Sequence, residues 1–219
     1  MIHALLFDLD GTLLASDPLH AEAFIALFAE HGRTIDTAFY NARIHGRLNA
    51  EIFAEFFPDA DGAAMAEAKE AAFRDLLGPS ASPMPGLTAL LDRADAQGWR
   101  TAVVTNAPRI NAEFMLKAIG LADRFDTVVV SDECAAGKPD PAPYREALRR
   151  LDCAPRAARA FEDSPSGIRS AVAAGITTLG LRSSLPDIAL RDAGAAASLA
   201  DFTDPTLEPY LQRQSGADP

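Results

Sequence analysis

The pattern of apolar and polar positions predicts one strand, then a long helical stretch, then a regular alternation of helices and strands. Residues 2–7 form an apolar run of the kind found in a parallel sheet that is covered on both faces. The next stretch has apolar residues at helical spacing, and Ser16 or Asp17 is placed to cap its first helix. Further helices are expected at 37–43, 49–57 and 61–77, and no strand is expected between 17 and 80.

A loop rich in proline and glycine at 78–86 separates this stretch from the alternating part of the chain. Helices are expected at 86–97, 108–119, 141–151 and 165–174, and strands at 100–105, 126–130, 160–162 and 176–181. Such alternation indicates an α/β fold with a parallel sheet and right-handed crossovers. We therefore predict a catalytic core of residues 1–16 and 81–219 with an inserted all-helical cap domain of residues 17–80. The loop at 78–86 and residues 15–18 are expected to supply the two linkers of a movable cap, and a rigid surface loop is the alternative interpretation of 78–86. In the tail from Pro205, which looks frayed, only Leu207, Tyr210 and Leu211 are expected to dock.

Composition and charge exclude several classes of partner. Among the 219 residues, 48% are hydrophobic and 23% charged, and no apolar run is long enough to span a bilayer. No secretory pattern follows Met1, so we expect a cytoplasmic location, without a membrane partner. The net charge of −11 argues against a nucleic-acid partner, which would need a clustered basic surface. Cys134 and Cys153 are expected to be free thiols, and no oligomeric state is predicted.

Two carboxylates follow the first strand, in the segment Asp8-Leu9-Asp10-Gly11-Thr12. Because side chains alternate along a strand, Asp8 and Asp10 should project to the same side beyond its carboxyl end, where open α/β folds place ligands. Hard oxygen ligands of this kind suit Mg²⁺ together with substrate phosphate oxygens. A turn with local Asx hydrogen bonds is the alternative interpretation of this segment alone.

Polar side chains also follow three later strands of the predicted sheet. Thr105 and Asn106 precede an expected helix N-terminus, where free N–H groups favour an anion such as phosphate. Lys138 follows the third strand, and Glu162 with Asp163 follows the fourth. Singly, each could be a helix cap or a solvated surface group. Because the carboxyl ends of parallel strands share one edge of the sheet, four polar strand ends with complementary charges favour a single site.

These four motifs, in this order and spacing, resemble those of the haloacid dehalogenase superfamily, in the phosphatase and phosphomutase branch with a helical cap. The resemblance covers nearly the whole chain and implies a Rossmann-like three-layer core. It implies a magnesium-dependent phosphomonoester hydrolase that acts on a small phosphorylated metabolite. Asp8 would be the nucleophile that forms an aspartyl-phosphate, and Asp10 would serve as general acid and then as general base.

The same resemblance implies the roles of the remaining motif residues. Mg²⁺ would be held by Asp8, the Asp10 backbone carbonyl, Asp163 and Glu162, and the phosphoryl oxygens by Thr105, Asn106 and Lys138. Lys138 would also neutralise Asp8, so that an anionic nucleophile can approach an anionic phosphoryl group.

Candidate specificity residues in and near the predicted cap are His20, His45, Arg47 and Arg109. His20 lies just inside the first cap helix, and His45 and Arg47 flank Gly46 in a break between helices. Arginine suits anionic groups through its fork of N–H donors. A structural or solvent-facing histidine, and a solvated helix start for Arg109, are the alternatives.

Within the superfamily, Asp10 favours phosphoryl chemistry over dehalogenation. A phosphonatase would need a cap lysine for a Schiff base, and we expect Lys69, between Glu67 and Glu70, to lie on the solvent-facing side of its helix. A sugar phosphomutase similar to β-phosphoglucomutase stays open as an alternative to the phosphatase. A catalytically silent binding protein is a further alternative, against which the full set of acidic residues argues.

Overall fold

A six-stranded parallel sheet forms the centre of the computed structural model, which describes residues 2–212. The strands are β1 (Ala4–Phe7), β2 (Arg100–Thr105), β3 (Thr127–Val130), β4 (Ala158–Glu162), β5 (Thr177–Leu181) and β6 (Ala197–Leu199). Their order is β3-β2-β1-β4-β5-β6, and every pairing is parallel. This confirms the predicted α/β class. The sequence did not predict β6, which has only three residues.

Helices connect the strands and cover both faces of the sheet. They are α1 (Asp17–Glu30), α2 (Thr37–Arg43), α3 (Asn49–Phe56), α4 (Gly62–Leu77), α5 (Leu87–Gln97), α6 (Arg109–Ala118), α7 (Ala142–Arg150), α8 (Pro165–Ala173), α9 (Asp187–Asp192) and α10 (Glu208–Leu211). None of the helices among residues 2–212 combines the length and apolar character that a membrane span requires.

The apolar run of β1 is buried because the sheet has a helical layer on each side. Leu5 and Phe7 pack into a cluster that includes side chains of α5 and α6, whereas Ala4 and Leu6 pack into a cluster with α7 and α8. All four residues are fully buried. Because alternate side chains of a strand point to opposite faces of the sheet, β1 contributes to the apolar layers on both sides.

Helices α1–α4 lie between β1 and α5 in the chain and have an apolar cluster of their own. That cluster is rich in aromatic residues, among them Phe24, Phe28, Tyr40 and Phe53. Phe73 of α4 packs instead into the cluster on the α5 and α6 side of the sheet. A separate cluster supports the predicted division into a cap of residues 17–80 and a core, and we keep these bounds as a proposal.

Ser16 occupies the predicted N-cap position of α1, but its side chain is used differently from the prediction. Ser16 makes no side-chain cap hydrogen bond, and Asp17 is the first helical residue. The Ser16 hydroxyl donates to Asp10 Oδ1 at 2.7 Å, and Asp17 accepts from Ser184 at 2.7 Å. Both side chains are thus engaged by the strand-end region rather than by the helix.

Near the carboxyl end of the described chain, Leu207 and Leu211 are buried and Tyr210 packs against the core cluster. The predicted docking of these residues is confirmed. The predicted fraying from Pro205 was wrong for 205–211, which form a 3-10 turn and α10, and its remainder at 213–219 lies outside the described residues. Cys134 and Cys153 are free thiols, as predicted.

Candidate active site

The carboxyl edge of the sheet opens into a cavity of about 300 Å³ that lies between the strand ends and helices α1–α4. The lining includes the strand-end residues Asp8, Asp10, Thr105, Asn106, Lys138 and Asp163, together with His20, His45 and Arg47. The strand order explains this convergence, since β1 has β2 on one side and β4 on the other. Four segments that are distant in sequence therefore meet at one edge.

Lys138 is buried at the bottom of the site between two carboxylates. Its Nζ donates to Asp8 Oδ1 at 2.6 Å, to Glu162 Oε1 at 2.5 Å and to the Val104 carbonyl at 2.7 Å. Burial lowers the pKa of Lys138, but the two carboxylates outweigh it and raise that pKa. Burial raises the pKa of Asp8 well above its usual value, although Lys138 opposes this. The positive charge of Lys138 therefore stabilises the ionised form of Asp8 in this buried position.

Asn106 and Thr105 organise the loops around Lys138. Asn106 Oδ1 accepts the backbone N–H of Lys138 at 3.0 Å, and its Nδ2 donates to the Lys138 carbonyl at 3.3 Å. Thr105 Oγ1 accepts the Ala107 N–H at 2.9 Å, in the turn that leads into α6. The Asn106 side chain thus fixes the lysine loop to β2, while both residues line the cavity.

The oxygen atoms of Asp8, Glu162 and Asp163 form a cluster that fits a hard divalent cation. One ligand atom from each lies within 4.8 Å of the others, and all three residues are buried. Burial and Asp17 raise the pKa of Asp163 to about 7, while His45 lowers it. A buried group of carboxylates is costly unless a cation compensates it, and all-oxygen donors are those that Mg²⁺ prefers.

Within this cluster, Glu162 is the most constrained residue. It is fully buried and accepts from Lys138 and from the Tyr144 hydroxyl at 2.6 Å. Its Oε1 is therefore occupied, which leaves Asp8 and Asp163 as the more available ligands. Gly11 lies against Asp163 and Asp17 with φ of +69°, and a Cβ there would be 2.0 Å from Asp163 Oδ2.

Asp10 is held by a hydrogen-bonded chain that begins in the predicted cap. His20 Nε2 lies 2.6 Å from Asp10 Oδ1, and Lys69 Nζ lies 2.8 Å from His20 Nδ1. An ammonium can only donate, so Nδ1 accepts and the ring hydrogen on Nε2 points to Asp10. Burial raises the pKa of Asp10, but the interactions with His20 and Ser16 lower it to about 2. The imidazole ring also stacks on Phe73 at 3.8 Å.

The prediction that Lys69 faces solvent was wrong. Lys69 is 3% exposed and lines the cavity, and its Nζ also donates to Glu70 Oε1 at 2.9 Å. It lies on the same stripe of α4 as Met65 and Phe73, four residues before and after it, which are both buried. This i, i+4 spacing was the signal that the sequence interpretation missed.

His45 lies between the carboxylates of Asp17, at the start of α1, and Asp163, after β4. Its Nε2 is 3.3 Å from Asp17 Oδ1 and 3.3 Å from Asp163 Oδ2. Burial lowers the pKa of His45, but the bonds to Asp163 and Asp17 raise it to about 11. Asp17 therefore belongs to the site although the sequence suggested only a helix-capping role for it.

The two candidate arginines differ in their positions. Arg47 lines the cavity, and its Nη1 contacts Glu55 at 2.8 Å and the Arg43 carbonyl at 2.7 Å. Arg109 instead donates to Glu133 at 2.7 Å and to the Val128 carbonyl at 3.1 Å. The structure thus brings His20, His45 and Arg47 to the cavity and holds the Arg109 guanidinium at Glu133.

A parallel sheet with paired carboxylates, a buried lysine and a capped cavity at its carboxyl edge indicates an enzyme of α/β fold that acts on phosphoryl groups. Comparison with known families agrees, because the family of haloacid dehalogenase-like hydrolases matches residues 5–181. The chain belongs to this family.

Individual relatives are similar over nearly their whole length. The chain is 34% identical to the validoxylamine A 7'-phosphate phosphatase of Streptomyces hygroscopicus subsp. limoneus, over 93% of this chain and 96% of that protein. It is 35% identical to a phosphoglycolate phosphatase of Rhodospirillum rubrum, over 92% and 88%. The crystal structure of CbbY from Rhodobacter sphaeroides in complex with phosphate superposes with a TM-score of 0.80 at 33% identity, over 92% of this chain and 95% of that one. The chain is therefore a phosphatase, a phosphoric monoester hydrolase of this superfamily.

Proposed function

We propose that the protein hydrolyses the phosphomonoester of a small phosphorylated metabolite through an aspartyl-phosphate on Asp8, with Mg²⁺ as cofactor. The observation that carries the proposal is the position of Asp8, which lines the cavity with Oδ1 bound to Lys138 and lies in the carboxylate cluster. The relatives named above support a small phosphorylated substrate by their names.

In the first step, an Asp8 carboxylate oxygen attacks phosphorus, and the bond from phosphorus to the ester oxygen breaks in line with it. Lys138 stabilises the negative charge that accumulates as the two anions approach. Thr105 and Asn106 border the cavity at the N-terminal side of α6, where the Thr105 hydroxyl and the Asn106 backbone N–H hold the phosphoryl oxygens.

Asp10 handles the protons in both steps. It delivers a proton to the departing alkoxide and later removes one from the water that attacks the aspartyl-phosphate. His20 and Ser16 orient this carboxylate at 2.6 and 2.7 Å, and they favour its ionised form. The geometry therefore suits the base role directly, and the acid role requires that Asp10 take up a proton when substrate binds.

Asp8, Asp163 and the Asp10 backbone carbonyl would hold Mg²⁺, with Glu162 behind them. The ion would supply electrostatic stabilisation of the phosphoryl oxygens. Helices α1–α4 cover the cavity, and they would exclude bulk water while the aspartyl-phosphate forms. His20, His45 and Arg47 would contact or orient the leaving group, whereas Arg109 has no such role in this arrangement. The cytoplasmic location stays a prediction.

The test is phosphate release from p-nitrophenyl phosphate and from a panel of phosphorylated metabolites, with Mg²⁺ and with EDTA. We expect metal-dependent release, a stoichiometric loss of substrate, and no release by Asp8→Asn. Conversion of a sugar phosphate into an isomer without free phosphate would support a phosphomutase instead. Absence of any turnover in a folded, magnesium-loaded protein would support a binding protein and exclude the hydrolase.

A further inference from the structure

The lysine and arginine side chains that line the cavity are already paired with carboxylates of the protein. The pairs are Lys138 with Asp8 and Glu162, Lys69 with Glu70, and Arg47 with Glu55, at distances of 2.5–2.9 Å. In the proposed reaction Lys138 faces the transferred phosphoryl group. A second anionic group of a substrate would therefore have to be met by Lys69, by Arg47 or by His45, and the Nε2 of His45 is already shared between Asp17 and Asp163 at 3.3 Å each.

Lys69 is poorly suited to that task. It is 3% exposed, and Glu70 beside it is 5% exposed. If Lys69 turned to a substrate carboxylate or phosphate, Glu70 would lose its nearest cation while it stays buried. Breaking a buried ion pair in this way is costly, because the abandoned charge has no solvent to compensate it.

Arg47 lies between α2 and α3, and groups of both helices engage its guanidinium. Its Nη1 contacts both Glu55 and the Arg43 carbonyl, and its Nε is 3.9 Å from Glu51. Two carboxylates and a carbonyl thus compete with any anion that would bind this guanidinium.

Besides uncharged polar groups such as Asn49 and Ser166, the cavity is lined by further carboxylates. Asp10, Asp17, Glu70 and Asp132 all border the cavity, beside apolar side chains such as Leu48. A second anion would be repelled by these carboxylates. A hydroxyl group, by contrast, can donate a hydrogen bond to them, and the apolar side chains can pack on a carbon skeleton.

We propose that the cavity selects phosphate monoesters whose leaving group is an uncharged, hydroxyl-bearing molecule such as a polyol or a sugar. It discriminates against monoesters that carry a second phosphate or a carboxylate. This inference rests on the proposed function and specifies the substrate class for the same site.

Two substrate pairs test the selectivity, since their members differ in charge and little else. They are glycerol 3-phosphate with 3-phosphoglycerate, and fructose 1-phosphate with fructose 1,6-bisphosphate. We expect kcat/KM to be higher for glycerol 3-phosphate and fructose 1-phosphate, whose leaving groups carry no charge, by on the order of tenfold. The reason is that like charges in a cavity oppose binding.

A variant and its control test the physical cause. Glu55→Gln releases Arg47 from its ion pair, so the ratio of kcat/KM for 3-phosphoglycerate to that for glycerol 3-phosphate should rise about threefold or more. Glu133→Gln releases Arg109, which is held away from the cavity, and should leave that ratio unchanged.

A wild-type preference for 3-phosphoglycerate or fructose 1,6-bisphosphate, or an unchanged ratio in Glu55→Gln, would overturn the inference and leave the proposed function standing. No phosphate release from any of the four substrates would overturn the inference, and if p-nitrophenyl phosphate and the wider panel also gave none, the proposed function would fail as well.

Discussion

Asn111 Nδ2 donates to Glu70 Oε2 at 2.5 Å and thereby joins α6 of the core to α4 of the predicted cap. The Asn111 oxygen accepts from Arg74, also on α4, at 2.6 Å. The other oxygen of Glu70 accepts from Lys69, which contacts His20. The Asn111 amide thus holds α4 to α6 and, through Glu70 and Lys69, is linked to the His20 side chain that orients Asp10.

Asn111→Leu should loosen this attachment, because it removes both hydrogen bonds and leaves Glu70 and Arg74 without their amide partner. We expect kcat/KM to fall about tenfold and the unfolding free energy to fall by about 2 kcal/mol. Amide hydrogen exchange of residues 62–77, measured by mass spectrometry, should accelerate. Glu113→Gln, an exposed change on the same helix, is the control; equal exchange in the two variants would refute the connection.

Lys138→Ala should impair both catalysis and stability. Removing this cation leaves Asp8 and Glu162 as unpaired buried carboxylates, so we expect a loss of about 3 kcal/mol in unfolding free energy. Turnover should fall by on the order of a thousandfold, because charge stabilisation at the phosphoryl group is lost. Urea unfolding and steady-state kinetics measure the two effects. Lys117→Ala removes an exposed lysine and should match the wild type in both; a near-normal rate in Lys138→Ala would contradict the assigned role.

Gly11→Ala should weaken metal binding, because the new Cβ would lie 2.0 Å from Asp163 Oδ2 and 2.8 Å from Asp17 Oδ2. Both carboxylates would have to move. The concentration of Mg²⁺ needed for half-maximal phosphatase activity should rise about tenfold or more. Gly32 has a similar φ of +71° and nothing within 4 Å of its Cβ position. Gly32→Ala therefore reports backbone strain alone, about 1 kcal/mol, and a similar magnesium dependence in both variants would exclude the proposed contact.

Asp204→Asn should reduce stability in a pH-dependent way. Hydrogen bonds from the Ala200 and Thr206 backbone, at 2.9 Å each, lower the pKa of Asp204 to about 2. Because the folded-state pKa lies below the unfolded value of 3.8, the stabilisation is fully present above pH 3.8 and disappears as the pH falls through 2. Urea unfolding of both proteins at several pH values should therefore show a difference that shrinks on acidification. A difference independent of pH would rule out the carboxylate as its source.

Much of the secondary structure could be predicted from the sequence, because local patterns of apolar and polar residues determine it. The bounds of β2 and α2 agree with the predicted 100–105 and 37–43. Strand ends could be assigned because apolar runs stop at Asp8, Thr105 and Glu162. The parallel order then brings these ends together without any information on long-range contacts.

The contacts between cap and core could not be derived in the same way. Helical spacing shows that Lys69 and Glu70 lie on a buried stripe, but it does not identify the partner of that stripe. Lys69 is buried because His20 and Glu70 satisfy its ammonium, and Glu70 is buried because Asn111 reaches it from a helix 41 positions away. These mutually dependent hydrogen bonds join side chains of three helices, whereas sequence patterns describe one helix or strand at a time.

The central place of β1 in the sheet also has a consequence for biosynthesis. Its two partners, β2 and β4, begin at residues 100 and 158, so the strand that carries the nucleophile cannot acquire its second neighbour until most of the chain has left the ribosome. Helices α1–α4, by contrast, are complete by residue 77 and make contacts local in sequence, which form early. Helices α1–α4 of the nascent protein would therefore fold before the active site is assembled. The apolar strand β1 would stay exposed to chaperones in the interval.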